Sequence, residues 1–160
     1  MILPFTFNFM GTNYTTVNIS SNGNIHVGPA NDAYNNTCLP NSISPNGLIA
    51  ALWDDLDPSA GGNIYTTVSG TSPNQVFVIE WRDVWAFGTG ASGTTFEIQL
   101  IEGTKEIWIL YQDTLFGATN KDNGASATAG IENCVGTAAN QYTCNRALLT
   151  NNKILHFWIQ

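Results

Sequence analysis

Asp54, Asp55 and Asp57 stand in the run Trp53-Asp54-Asp55-Leu56-Asp57-Pro58, where mutual repulsion has to be offset by a cation, by hydrogen-bond donors or by water. Hard oxygen ligands on a turn suit Ca²⁺, so these three residues are candidate ligands of a structural calcium ion. Their spacing is not that of an EF-hand loop, which needs ligands at alternate positions and a closing glutamate. The competing reading is a turn lock, in which one aspartate accepts from turn amides and the others face water.

Glu80, Glu97, Glu102, Glu106 and Glu132 offer pairs of carboxylates that could hydrolyse a glycosidic bond if two of them met across a cleft. Glu97 alternates with Phe96 and Ile98, the pattern of a solvated strand position. Gly88-Thr89-Gly90-Ala91-Ser92-Gly93 satisfies G-x-G-x-x-G. The segment after it reads as a strand, so no helix N-terminus is present to receive a pyrophosphate, and a surface loop is expected. His26 and His156 lie on separate strands with no His or Cys three or four residues away, which gives a zinc or copper site no support.

Trp81, Trp85 and Phe87 run from a strand into this glycine-rich loop. An indole outside the core can stack on a sugar ring or anchor a protein, so these three are the candidate ligand-binding residues. Trp85 and Phe87 have another use, as a plug folded over the end of a sandwich. Trp53, Trp108 and Trp158 belong to apolar strands and are expected in the core.

The elements that would position these side chains are short strands. Leu3-Pro4-Phe5-Thr6-Phe7-Asn8-Phe9 alternates as a half-buried strand, and Thr16 to Ser20 and Asn24 to Val27 flank the turn dipeptide Asn22-Gly23. Pro29 to Asn46 reads as a long loop, and Gly47 to Trp53 is a continuous apolar run. Further strands are expected at 63–68, 75–84, 94–101, 105–112, 125–132 and 153–159. No sustained helical period lies between them. The fold expected is all-β, an antiparallel β-sandwich of jelly-roll-like kind with long connecting loops, formed by residues 1–160 as one domain.

Composition narrows the function. With 160 residues, 5 Lys plus Arg against 12 acids and a net charge of −7, no phosphate-neutralising surface can be assembled, which excludes nucleic acid. The longest apolar runs are strand-sized, so no membrane span is expected. No basic segment followed by an apolar run opens the sequence, so any secretion signal is expected outside it. Cys38, Cys134 and Cys144 allow three single-bridge pairings, and residue spacing does not choose among them.

Several stretches, in order, resemble the nidogen-like domain of secreted and cell-surface bacterial proteins. They are Leu3 to Gly11, Val17 to Ile25, Ile49 to Asp57, Gly62 to Tyr65, Phe77 to Trp81 and Thr95 to Leu100, followed by Gly130 to Asn133 and Tyr142 to Asn145. The resemblance implies an extracellular β-rich module without catalytic residues, and a bridge between Cys38 and Cys144. The function expected is a non-catalytic binding or adhesion module, contacting extracellular polysaccharide or protein through loop aromatics. The alternatives are a surface-fibre subunit self-associating through its terminal strands, and a β-sandwich hydrolase using strand carboxylates.

Overall fold

The computed structural model describes residues 1–89 and 92–159. The strands are β1 (Ile2–Phe9), β2 (Thr12–Thr16), β3 (Asn18–Ser20), β4 (Asn24–His26), β5 (Leu48–Trp53), β6 (Leu56–Asp57) and β7 (Asn63–Ser69), then β8 (Val76–Ala86), β9 (Gly93–Ile101), β10 (Glu106–Asp113), β11 (Thr128–Glu132), β12 (Ala139–Cys144) and β13 (Lys153–Trp158). They form a five-stranded sheet in the order β12-β11-β5-β4-β3 and a six-stranded sheet in the order β13-β10-β9-β8, whose far edge is shared by β7 and β6. All these pairings are antiparallel. The hairpin of β1 and β2 adds Leu3, Phe5, Phe7 and Phe9 to the core from one phase of its alternation. The all-β sandwich expected from the alternating pattern is therefore the fold, wound as the meanders β3-β4-β5 and β7-β8-β9-β10 with crossings between sheets.

Packing between the sheets follows strand phase. Phe77, Ile79 and Trp81 of β8, Phe96, Ile98 and Leu100 of β9, and Ile107, Ile109 and Tyr111 of β10 all point inward and meet Ile25, Ile49, Ala51 and Ile131. Two buried polar tips are satisfied across the sandwich: Tyr111 Oη donates to the Ala51 carbonyl at 2.5 Å and Trp81 Nε1 to the Ser20 carbonyl at 3.2 Å. Burial raises the Tyr111 hydroxyl pKa well above its ordinary value, so it remains a donor.

The turn at Asn22-Gly23 differs in detail from a two-residue hairpin. Ser20 pairs with Asn24, leaving a three-residue connection in which Gly23 alone takes positive φ, at 72°. The Gly23 carbonyl accepts from both Ala51 N and Leu52 N, each at 3.1 Å, which places a one-residue bulge in β5. Leu52 therefore joins Ala51 on the core side, while Trp53 falls in phase with Leu48 and Ala50 on the other face.

That other face explains the unbroken apolar run of β5, which is buried on both sides. The long connection between β4 and β5 lies over it as a third layer and buries Leu39 against Leu48, Ala50 and Trp53. Glu132 accepts from Asn41 N, Gln141 accepts from Leu39 N, and Thr128 Oγ1 donates to the Thr37 carbonyl. The Cys38–Cys144 disulfide, closing 106 residues of sequence, ties this layer to β12. It is the pairing that the resemblance implied. Cys134 is free and exposed.

Three short elements escape a reading by alternation: β2, β6 and β12. β12 is polar on most positions and takes its place through pairing with β11 and through the disulfide. The strand expected at 125–132 starts at Thr128, because a 3-10 turn at Asp122–Gly124 captures Ala125 N and Ala127 N first.

Candidate functional site

Trp158 is 70% exposed on the outer face of the six-stranded sheet, beside Trp108 and His156. The alternation of β13 buries Leu155 and Phe157 and turns Ile154, His156 and Trp158 outward. β10 likewise buries Ile107 and Ile109 and turns Glu106, Trp108 and Leu110 outward. The expectation that Trp108 and Trp158 are core residues is corrected here. Strand membership does not fix burial, since in each strand the opposite phase already supplies the core.

The cluster has a defined geometry. Trp108 lies directly across from His156, and their rings stack with centroids 4.6 Å apart at 28°. Trp158 tilts against His156 at 6.4 Å. Glu106, across from Trp158, accepts from Trp108 Nε1 at 3.0 Å, and the same oxygen lies 3.2 Å from His156 Nε2. One carboxylate oxygen thus orients two rings of an aromatic platform.

Next to it runs an open groove of about 430 Å³, whose lining includes Glu80, Glu97, Leu110, Gln112, Lys153 and Ile154. Glu80, Glu97, Leu110 and Ile154 form one cross-strand row, which Tyr65 extends on β7. Arg82 sits 4.8 Å above the Tyr65 ring and grips Glu80 through hydrogen bonds of 3.2 and 2.6 Å. Glu97 accepts from Gln99. The face therefore combines flat apolar rings with carboxylate, amide and guanidinium groups, the mixture that stacks on and hydrogen-bonds to a polyhydroxylated ligand.

The residues singled out for ligand binding are placed differently. Trp81 is fully buried and stacked on Phe96 at 5.2 Å, so it belongs to the core and cannot meet a ligand. The inward phase of β8 that buries Phe77 and Ile79 carries it there. Trp85 is half-buried, with its ring against the Gly61 backbone, where an added Cβ would lie 2.4 Å from Nε1. Phe87 is 62% exposed at the end of the sandwich, and its main-chain nitrogen donates to the Asp55 carbonyl. Neither residue is part of the Trp108–His156–Trp158 platform.

The glycine-rich loop carries no phosphate site among the described residues, because β9 follows it as a strand. Its Gly90 and Ala91 lie outside the described residues. Gly93 is required by a close approach, since a Cβ there would lie 2.0 Å from the Asp83 carbonyl oxygen at the β8 bulge.

The three aspartates do not converge. Asp54 is buried and accepts from Lys121 Nζ at 2.9 Å and from Ser126 Oγ. Asp57 faces solvent and accepts from Ser59 N, Ser59 Oγ and Ala60 N, bonds that lower its carboxyl pKa, the Ser59 hydroxyl contributing most. Asp55 is raised, chiefly by desolvation, with Lys121 opposing. Among the described residues no group of three His, Cys, Asp or Glu side chains is arranged to hold a metal ion. The bonds of Asp57 are those of a turn lock, while Asp54 bonds side chains distant in sequence.

The remaining carboxylates are also committed locally. Glu102 takes Ser72 Oγ and Gln75 N, and Glu132 is buried under the loop with its pKa raised by desolvation. His26, buried beneath the same loop, has both ring nitrogens unpartnered among the described residues. Burial lowers its pKa, while the Asn31 main chain and the Asp32 charge pull the other way.

Sequence reasoning missed the platform of Trp108, His156 and Trp158, although a signal existed. Ile107 to Tyr111 is apolar in both phases, and so is much of Ile154 to Ile159, which on a strand with one face in the core leaves large apolar groups on the other. No described helix is long and apolar enough to cross a membrane.

Comparison with curated proteins gives no match, and comparison with solved structures gives none. A family model described as NIDO related matches residues 1–156. The disulfide and the family are both compatible with an extracellular location. With a match over nearly its whole length, this antiparallel β-sandwich belongs to the NIDO-related family.

Proposed function

We propose that the domain is a non-catalytic extracellular module that binds neutral polysaccharide on the outer face of its six-stranded sheet. The observation that carries this reading is Trp158, 70% exposed beside the stacked pair of Trp108 and His156. A large indole left in water on a flat face costs solubility unless it has a partner, and a sugar ring offers the apolar face that an indole stacks on. Glu80, Glu97 and Gln112 along the groove supply donors and acceptors for hydroxyl groups. The net charge of −7 disfavours uronate or sulfated chains. Local engagement of the carboxylates by Arg82, Gln99, Trp108 and turn amides supports a binding role over a hydrolytic one.

The test is affinity electrophoresis and pull-down of the purified domain against a panel of soluble and insoluble polysaccharides, neutral and acidic. Retention by one or more neutral polymers, lost in Trp158→Ala, is the expected result. No retention by any neutral polymer overturns the reading and leaves the same face to a protein partner.

A further inference from the structure

We propose that β7 is a self-pairing edge, through which two copies of this chain join their six-stranded sheets antiparallel about a two-fold axis at Thr66. β7 lies on the rim of the sheet and pairs only with β8, in unbroken register from Asn63 opposite Arg82 to Ser69 opposite Val76. Among the described residues its main chain makes no hydrogen bond besides those to β8, so alternate N–H and C=O groups along seven residues face outward.

Edges of this kind are ordinarily blunted by charge, proline, a bulge or brevity. Asn63-Ile64-Tyr65-Thr66-Thr67-Val68-Ser69 has no charge, no proline and no bulge, and it is rich in the β-branched and aromatic residues that favour strands. The other rims of the two larger sheets are protected. β3 and β6 are three and two residues long, β12 is stapled to the covering loop by the disulfide, and β13 carries Lys153.

A second copy is the occupant because the sequence of β7 is self-complementary. With Thr66 opposite itself, Ile64 meets Val68 of the other copy on the inner side, where Val68 is 44% exposed. Tyr65 meets Thr67 on the outer side, and Asn63 meets Ser69. Apolar faces apolar, hydroxyl faces hydroxyl, and no like charges are opposed, in a molecule whose net charge of −7 otherwise disfavours self-association. Pairing of two seven-residue strands lies at the small end of interface sizes, which predicts a weak, concentration-dependent dimer. A two-fold normal to the sheet keeps the outer faces on one side, so the two aromatic platforms become parts of one continuous surface and gain avidity for a polymer.

Sedimentation velocity over a concentration series tests this, reading mass and not polysaccharide binding, so its failure is distinct from failure of the proposed function. The wild type is expected to shift from monomer toward dimer as concentration rises, and Thr66→Lys, which opposes two ammonium groups at the axis, is expected to remain monomeric with an unchanged melting temperature. In a Cys134→Ser background, Thr66→Cys is expected to form a disulfide-linked dimer on mild oxidation, because directly opposed Cα atoms lie about 4.5–5.5 Å apart. Thr67→Cys, offset from its own copy, is expected to crosslink far more slowly. A wild type that stays monomeric at the highest concentration overturns the proposal, as does a dimer indifferent to Thr66→Lys or equal crosslinking at the two positions.

Discussion

Trp53 Nε1 donates to the Ala33 carbonyl at 2.8 Å, joining the end of β5 to a loop residue twenty positions earlier. Through this bond and the burial of Leu39, the segment between β4 and β5 behaves as a third layer of the sandwich. A loop of such length is ordinarily mobile. Here it covers the apolar outer face of one sheet, and the other sheet keeps its outer face uncovered.

Removing the staple of that layer should be costly. The Cys38–Cys144 bridge closes a separation of 106 residues, and restricting an unfolded chain over such a loop stabilises the folded state by about 4 kcal/mol. The double variant Cys38→Ser/Cys144→Ser is expected to lose about that much in urea unfolding. A loss below about 1 kcal/mol would mean that the unfolded chain is not restricted by the bridge.

The aspartates should separate by role. Asp54→Ala strips Lys121 and Ser126 of a buried partner and is expected to cost about 2–3 kcal/mol. Asp57→Ala, at an exposed turn, is expected to change the melting temperature little. Calcium and EDTA are expected to leave the wild-type melting curve in place, since the carboxylates do not converge. A calcium-dependent rise that Asp54→Ala abolishes would contradict this assignment.

Gly23 combines a φ of 72° with a position where a Cβ would lie 2.0 Å from the Leu52 carbonyl oxygen. Gly23→Ala is therefore expected to destabilise by about 3 kcal/mol or more. Denaturant unfolding of the variant reads the loss directly, and a wild-type midpoint would mean that the β5 bulge relaxes freely.

His26 predicts a pH dependence. Its folded pKa is lowered below the ordinary 6.5 by burial, so the unfolded chain takes up the proton first, and stability present above pH 6.5 is lost as pH falls toward the folded value. Glu132 and Asp55, raised by desolvation, act in the opposite sense nearer the carboxylate range. Urea midpoints of the wild type and His26→Gln at neutral pH and at about pH 5.5 isolate the histidine, because the carboxylates are common to both proteins. The wild type is expected to lose more on acidification, and parallel losses would refute the assignment.

The sequence pattern specified most strands because their alternation is strong, as in Leu3 to Phe9 and Phe96 to Leu100. It failed at Ala139 to Cys144, where a polar strand is held by neighbours and a disulfide and carries little pattern of its own. The candidate site was less legible for a related reason. Trp81 and Trp158 look alike in an apolar stretch, and which of them faces the core depends on strand phase relative to the partner sheet. The same holds for the continuous run of β5, whose second buried face exists only because a distant loop covers it. Asp54 could be read as a ligand because its partner Lys121 lies 67 residues away.

Polysaccharide affinity of Trp158→Ala measured beside Phe87→Ala tests the central claim most directly. Both residues are exposed aromatics, at 70% and 62%, so neither substitution should disturb the core. The open sheet face as binding surface predicts that Trp158→Ala loses tenfold or more in affinity, the scale of about 1.4 kcal/mol, while Phe87→Ala binds as the wild type does. Loss in Phe87→Ala with full binding by Trp158→Ala would contradict the account and move the site to the end of the sandwich.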